Sequence, residues 1–232
     1  MRNDVFWLGR PITIRRARPI PPTRQQSDNA KRRDERRTAD RRASNERWRS
    51  ILGGAAEVFR REGFARARLE DVAAEVGINR ASLYYYVGTK EELLIALIED
   101  PAREMTRHCR EALESDGPAD AKLRRALHSY VEDLQNHPEL FLLFSESQHI
   151  GSIPGADAIT SNAEDYAHAL LAIIEEGVAA GAFRGDLEPR LVMHGILGMH
   201  NWIHRWYLPG GRLSLTEIGD VFAEMILSGL HP

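Results

Sequence analysis

The chain has 232 residues, 43% hydrophobic and 28% charged, with a net charge of −3 and a single cysteine. That length allows one large domain, or a small domain beside a larger one. The lone Cys109 excludes a disulfide framework and a cysteine-rich zinc site and fits a reducing cytoplasm. Apolar runs such as "LFLLF" (Leu140 to Phe144) fall far short of the roughly 20 residues of a membrane-spanning helix, so no membrane partner is expected.

The charge is unevenly placed. Residues 1–44 carry thirteen Lys/Arg against five Asp/Glu, a net +8, so the remaining residues carry −11. The start "MRNDVFWLGRPITIRR" has no signal-peptide core. Its Arg pairs and the prolines Pro19, Pro21 and Pro22 predict a disordered basic arm ending near Ser44. Such an arm can bind phosphates or can be a soluble tail, and both readings stay open.

From there the pattern is helical. Trp48, Ile51, Leu52, Ala55, Val58 and Phe59 recur at helical spacing, and Gly63 stops the run. Leu69, Val72, Ala73 and Val76 form a short second stripe ended by Gly77; Arg80 to Val87 is a third helix. Thr89 with Glu92 reads as a capping box opening a fourth, which Pro101 should kink or end. Leu123, Leu127, Tyr130, Val131 and Leu134 mark the next helix, broken at "NHP". Residues 139–148 are apolar nearly all round and predict a buried central helix. After a "GSIPGAD" loop, Tyr166, Leu170, Ile173, Ile174 and Val178 mark a long helix. Pro189 opens a helix expected to reach Tyr207 with two stripes. One is Val192, Ile196, Met199, Ile203 and Trp206; the other is Leu191, Gly195, Gly198 and Trp202. Ser214 with Glu217 caps a last helix bearing Ile218, Phe222, Met225 and Ile226. The expectation is an all-α chain of about nine helices without useful β-alternation.

Three consecutive tyrosines, Tyr84 to Tyr86, lie about 100° apart around a helix and cannot share one core. Leu83 and Val87 must face inward, so Ala81, Ser82 and Tyr85 face out, with Tyr84 and Tyr86 at the boundary. A face that is small, hydroxylated and aromatic, with Arg80 at its start, suits a DNA major groove. Lys90 beside the next helix N-terminus suits a phosphate. The helix–Gly77–helix spacing is that of a helix-turn-helix.

The pieces "AAEVFRREGF", "EDVAAEVGI" and "LYYYVGTKEEL", with their spacing, closely resemble the N-terminal domain of the tetracycline-repressor (TetR) family over residues 48–98. The resemblance implies a three-helix helix-turn-helix DNA-binding domain, a C-terminal helical ligand-binding and dimerisation domain, and a homodimer on a palindromic double-stranded operator. By it, Arg80, Ala81, Ser82, Tyr84, Tyr85, Tyr86 and Lys90 fall on DNA-contacting positions, with core packing the alternative for Tyr84 and Tyr86. The family usually has Thr or Ser before the second helix; Arg68 stands there. The change removes a side-chain cap worth about 1 kcal/mol and leaves Arg68 a longer reach to phosphate. The implied division is residues 1–44 as arm, 45–92 as DNA-binding domain and 93–232 as ligand and dimer domain.

Beyond residue 100 there is no nucleophile–base motif, phosphate loop or good metal spacing, so no catalyst, metal or cofactor is expected. His200 and His204, four apart, lack a third ligand. "GAFRGDLEPRLV" and "NWIHRWYLPGGRLSLTEIG" are similar to the closing helices of family members that respond to acyl-coenzyme A thioesters or lipid-derived acids. That likeness implies such a small-molecule effector. A pocket is expected to be lined by Phe141, Phe144, Gln148, Tyr166, Leu170 and Trp202, with Arg205 supplying a cation; packing is the alternative for Trp202, Arg205 and Trp206. The double stripe predicts a four-helix seam between subunits, with Ile218 and Phe222 on the partner helix. The functional expectation is a ligand-released repressor; the alternative is an effector-independent DNA-binding or architectural protein.

Overall fold

A computed structural model describes residues 44–146 and 150–232, and the backbone of residues 6–7 and 10–11. The chain divides into two units, Met1–Arg47 and Trp48–Pro232. In the first, Phe6–Trp7 pairs antiparallel with Arg10–Pro11, Phe6 opposite Pro11. The rest of the expected disordered arm lies outside the described residues.

The second unit is built from helices. Nine α-helices occur among the described residues: α1 (44–62), α2 (Leu69–Val76), α3 (Arg80–Tyr84), α4 (Lys90–Glu114), α5 (Ala119–Asn136), α6 (Leu140–Ser145), α7 (Asp157–Ala179), α8 (Pro189–Asn201) and α9 (Leu215–Leu230). A 3₁₀ turn, Trp202–Arg205, follows α8. No helix among the described residues is long and apolar enough to cross a membrane.

The boundaries follow local chemistry. Thr89 Oγ1 accepts the Glu92 N–H at 3.1 Å, while the Glu92 carboxylate accepts the Gly88 N–H at 2.8 Å, closing the box one residue earlier than expected. Ser214 and Glu217 exchange both bonds, at 3.2 and 2.8 Å. Pro189 occupies the first turn of α8, where its missing N–H costs nothing, and Glu188 caps the Leu191 N–H at 2.8 Å.

Two apolar clusters fill the unit. One joins α1, α2 and α3 to the start of α4 through Ile51, Phe59, Val72, Leu83, Leu94 and Ile98. The other joins the rest of α4 to α5, α7, α8 and α9 through Cys109, Leu127, Tyr130, Ile173, Ile196 and Leu227. Helix α4 passes from one cluster to the other at Pro101. At Gly219 a Cβ would stand 2.9 Å from a Val131 methyl, and this absence of a side chain lets α9 lie close on α5.

The helices depart from the sequence reading in three places. Pro101 does not end α4; the helix runs through it. An interior proline costs about 3 kcal/mol, but Leu97, Ile98, Ala102 and Met105 are buried around it, and each large side chain returns about 1.5–3 kcal/mol. The described part of the segment 139–148, residues 139–146, is not a buried central helix. Helix α6 spans six residues, and only Leu140 in it is buried, because Phe144 and Phe141 face two different hollows. The helix from Pro189 ends at Asn201. The His204 Nδ1–H takes the Asn201 carbonyl at 2.6 Å, three residues back, and the chain tightens into the 3₁₀ turn.

Candidate nucleic-acid interface and effector cavity

Helix α3 is held by its inner edge. Leu83 and Val87 are buried, and Asn79 caps the helix by accepting the Ser82 N–H at 2.8 Å. Gly77 turns the chain from α2 with φ 70°, a conformation that favours glycine. Arg61 on α1 reaches Glu75 on α2 at 2.9 Å. Together these present Arg80, Ala81, Ser82, Tyr84 and Tyr85 to solvent, with Tyr85 85% exposed. Arg80 lies across the two helices: it pairs with Glu70 at 3.2 Å, donates to the Tyr84 hydroxyl at 3.3 Å and covers the Tyr84 ring at 5.1 Å.

Two residues expected on the DNA face are engaged within the protein. Tyr86 is half-buried, stacked on Trp48 at 6.4 Å and edge-on to Tyr85 at 5.3 Å. The Lys90 ammonium donates to the carbonyls of Phe64, Ala65 and Ala67 at 2.8, 3.0 and 3.2 Å. Arg68 is exposed at the start of α2, and its backbone N–H donates to Asp71 Oδ2 at 2.9 Å. The helix thus keeps one half of a capping box despite the lost hydroxyl. The sequence reading missed the Asn79 cap, although Asn directly before a helical run is its ordinary signal.

Within the second cluster lies a cavity of about 130 Å³, bounded by residues of α4, α5, α6, α7 and α8. Phe144 and Tyr166 line it, as expected; so do Thr106, Tyr130, Asn162 and Asn201. The Tyr130 hydroxyl donates to Asn201 Oδ1 at 2.9 Å, and Thr106 Oγ1 donates to the Asn162 carbonyl at 3.0 Å. Burial pushes both tyrosine pKa values well up, so both phenols stay neutral. Tyr130 was legible as a core stripe residue, but not as a polar handle, because its partner stands 71 positions away.

The other expected pocket residues are elsewhere. Leu170 is fully buried in closed packing. Phe141 stacks on Tyr207 at 6.0 Å and lines a different hollow. Trp202 is 59% exposed on the Leu191–Gly195–Gly198 stripe, and Arg205 covers its ring at 5.5 Å; the pair therefore belongs to the outer face, away from the cavity. Gln148 lies outside the described residues.

Three further buried groups, His200, Asp133 and Cys109, do not line the cavity. His200 donates from Nδ1 to the Ile196 carbonyl at 3.0 Å; its Nε2 has no partner, and burial lowers its pKa to about 4. Asp133 Oδ1 meets His108 Nδ1 at 2.8 Å, Oδ2 has no partner, and burial raises the carboxyl pKa. Burial pushes the Cys109 thiol up to about 12, far from the thiolate that nucleophilic chemistry needs. Among the described residues no group of three side chains is set to hold a metal ion.

An outward-facing helix after a glycine turn, coupled by one shaft to a helical body, defines a helix-turn-helix regulator. Residues 51–97 match the family model "Bacterial regulatory proteins, tetR family", and residues 116–230 match "Tetracyclin repressor-like, C-terminal domain". The chain belongs to the TetR family of transcriptional regulators. It is 26% identical over 182 residues to the HTH-type transcriptional repressor KstR2 of Mycolicibacterium smegmatis, covering 78% of this chain and 88% of that one. The solved structure of the ketosteroid transcriptional regulator KstR2 of Mycobacterium tuberculosis shares the fold, with a TM-score of 0.74, 24% identity, and 80% and 95% of the two chains covered. AibR, solved with isovaleryl coenzyme A and operator DNA, gives a TM-score of 0.65 at 21% identity, covering 80% of this chain and 98% of that one.

Proposed function

We propose that this chain is a transcriptional repressor that binds a palindromic operator as a homodimer in the cytoplasm and is released by a small acyl compound, of the acyl-coenzyme A or lipid-derived acid class. In this reading residues 45–92 read DNA, residues 93–232 bind effector and partner, and residues 1–44 are a basic arm. The single observation that carries it is the outward face of α3, fixed from behind by Leu83, Val87 and the Asn79 cap. Arg68, Arg80, Ala81, Ser82, Tyr84 and Tyr85 make the DNA contacts, with Tyr86 and Lys90 as braces.

Dimerisation is supported by an apolar face on α8 and α9. Leu191 is 71% exposed and Met225 59%, beside Trp202 and Val221. Gly195, Met199, Met225 and Gly229 edge a shallow trough along it. A second copy related by a two-fold axis covers such a face with itself.

The cavity supports the effector and bounds its size. About 130 Å³ is close to the ~150 Å³ that holds one benzene. It takes a short acyl chain or one ring, with the Asn201 amide near as a donor for a carbonyl and the remainder of the molecule outside. The isovaleryl group of the coenzyme A thioester in the AibR structure is of this size class. A polar-edged hollow beside the α4 shaft supports the ligand-released reading over the effector-independent one. The ligand must favour the arrangement that cannot span two half-sites, since equal affinity shifts nothing.

The experiment is footprinting on the DNA flanking the chain's own gene. The expected result is symmetric protection of half-sites about 34 Å apart or a multiple of it, lost on adding isovaleryl coenzyme A and retained with coenzyme A alone. Absence of protection overturns the DNA reading; protection that no acyl thioester or free acid relieves overturns the effector reading.

A further inference from the structure

A guanidinium that reads DNA unaided has two handicaps. Phosphates flank every base pair, and a free cation is drawn to them on any sequence. A long side chain in solvent also loses rotamer freedom when it is fixed against a base. Both handicaps shrink when the cation is already held and its charge already offset.

Arg80 is held in this way by two helices. Its Nη1 lies 3.2 Å from Glu70 Oε1, and its Nη2 donates to the Tyr84 hydroxyl at 3.3 Å. Its guanidinium carbon stands 5.1 Å from the Tyr84 ring centroid. Tyr84 lies on α3 with Arg80 and moves with it; Glu70 belongs to α2 and ties the side chain to a second element. A guanidinium carries five N–H groups, and one of them is spent on Tyr84. Side-chain exposure is 66% for Arg80 and 45% for Glu70, so the pair is open to an incoming base edge.

Glu70 is available for this pairing because its neighbour takes the other task. Glu70 and Asp71 both stand in the first turn of α2, where the helix N-terminus favours carboxylates. Asp71 accepts the Arg68 N–H at 2.9 Å and serves as the cap. Glu70 reaches across to α3 instead. A carboxylate on a face that meets DNA lowers attraction to phosphates, which carry no sequence information. It leaves the guanidinium fork able to meet guanine N7 and O6, which do.

We propose that Glu70 is a positioning residue that sets operator specificity through Arg80. It fixes the guanidinium across α2 and α3 and offsets its charge, so Arg80 adds to a base contact and little to general phosphate binding. The inference rests on the reading of α3 as the DNA-contacting helix.

The test is Glu70→Gln in the full chain, titrated by fluorescence anisotropy against the footprinted operator and a scrambled duplex of equal length and composition. The variant keeps the size of the side chain and loses its charge. Affinity for scrambled DNA should rise, with its salt slope steeper by about one. The operator-to-scrambled affinity ratio should fall about three- to fivefold, the size of one exposed ion pair, at unchanged melting temperature. In an Arg80→Ala background the same change should leave the ratio where Arg80→Ala alone puts it. A parent chain without operator preference overturns the DNA reading itself. An unchanged ratio in Glu70→Gln, in a parent that does prefer its operator, overturns the role of Glu70. A ratio that falls just as far in the Arg80→Ala background overturns the route through Arg80. A fall accompanied by a lower melting temperature makes Glu70 a structural support and overturns the proposal as well.

Discussion

Lys90 donates to the Phe64 carbonyl at 2.8 Å while its ammonium sits 4.8 Å over the Phe64 ring. With the bonds to Ala65 and Ala67, all three of its protons are used within the lobe. A residue whose position by family resemblance is a phosphate contact is, in the free protein, the brace of the loop between α1 and α2.

Lys90→Ala should therefore lower stability by about 1–3 kcal/mol, because the carbonyls that Phe64 and Ala67 present lose a charged donor. Operator affinity should fall with the slope of log affinity against log salt unchanged. A thermal melt and a salt titration read the two. A slope reduced by about one, with an unchanged melt, would return Lys90 to direct phosphate binding.

The tyrosine triplet separates in the same way. Tyr85→Ala should cut specific operator affinity at unchanged melting temperature, since its ring meets mainly solvent. Tyr86→Ala should lower the melting temperature, because the ring stacked on Trp48 is lost, at a cost of about 1–3 kcal/mol. Arg80→Ala should relax base preference, worth about 1–3 kcal/mol where an arginine reads guanine. Gel-shift titrations on operator and scrambled DNA, beside melts, decide each. Equal affinity for both DNAs in the parent chain sinks the Tyr85 and Arg80 predictions, and an unchanged melt in Tyr86→Ala sinks the third.

Much of this was legible in the sequence because it rests on local rules. Gly63 and Gly77 end α1 and α2 at φ 76° and 70°, and Ser214 with Glu217 opens α9. The reading helix followed from Leu83 and Val87 being one turn apart. What stayed hidden depends on distant partners. Nothing near Lys90 announces carbonyls more than 20 residues back, nothing near Tyr130 announces Asn201, and nothing near Pro101 announces that two cores meet around it. The five apolar residues of α6 were misread because two hollows, invisible in one dimension, occupy the sides expected to be packed.

His200 gives a pH prediction. Its folded pKa is lowered to about 4 from 6.5, first by burial. The unfolded chain binds the proton more readily, so stability rises with pH over this window. The contribution is present above about pH 6.5 and is lost as pH falls toward 4, amounting to a few kcal/mol. Asp133 works oppositely: its raised pKa, from burial, means that protonating it in acid relieves a cost. His200→Phe isolates the first effect, and denaturant melts from pH 7 to 4 should then show a flatter loss of stability. An unchanged curve would assign the acid response to other groups.

The dimer face gives the last prediction, and the structure changes the residues that test it. Ile218 is only 3% exposed, packed within its own subunit, and Phe222 is half-buried against His200 and Trp206. A charge at Ile218 should unfold the chain whether or not a partner exists, so it cannot test the seam. Met225 and Val221 on α9 and Leu191 on α8 are more than half exposed, and their burial by a second copy removes about 1.5–3 kcal/mol per large side chain from water. Met225→Asp should therefore leave helix content and melting of the monomer fold intact while shifting the mass in sedimentation from dimer to monomer. Operator affinity should collapse toward that of a single half-site. Trp202→Ala should weaken the dimer more mildly and leave effector release unchanged, since Trp202 faces outward, away from Tyr130 and Tyr166. A dimeric Met225→Asp chain with full operator affinity would refute the α8–α9 seam, and impaired effector release in Trp202→Ala would bring that ring back to the cavity.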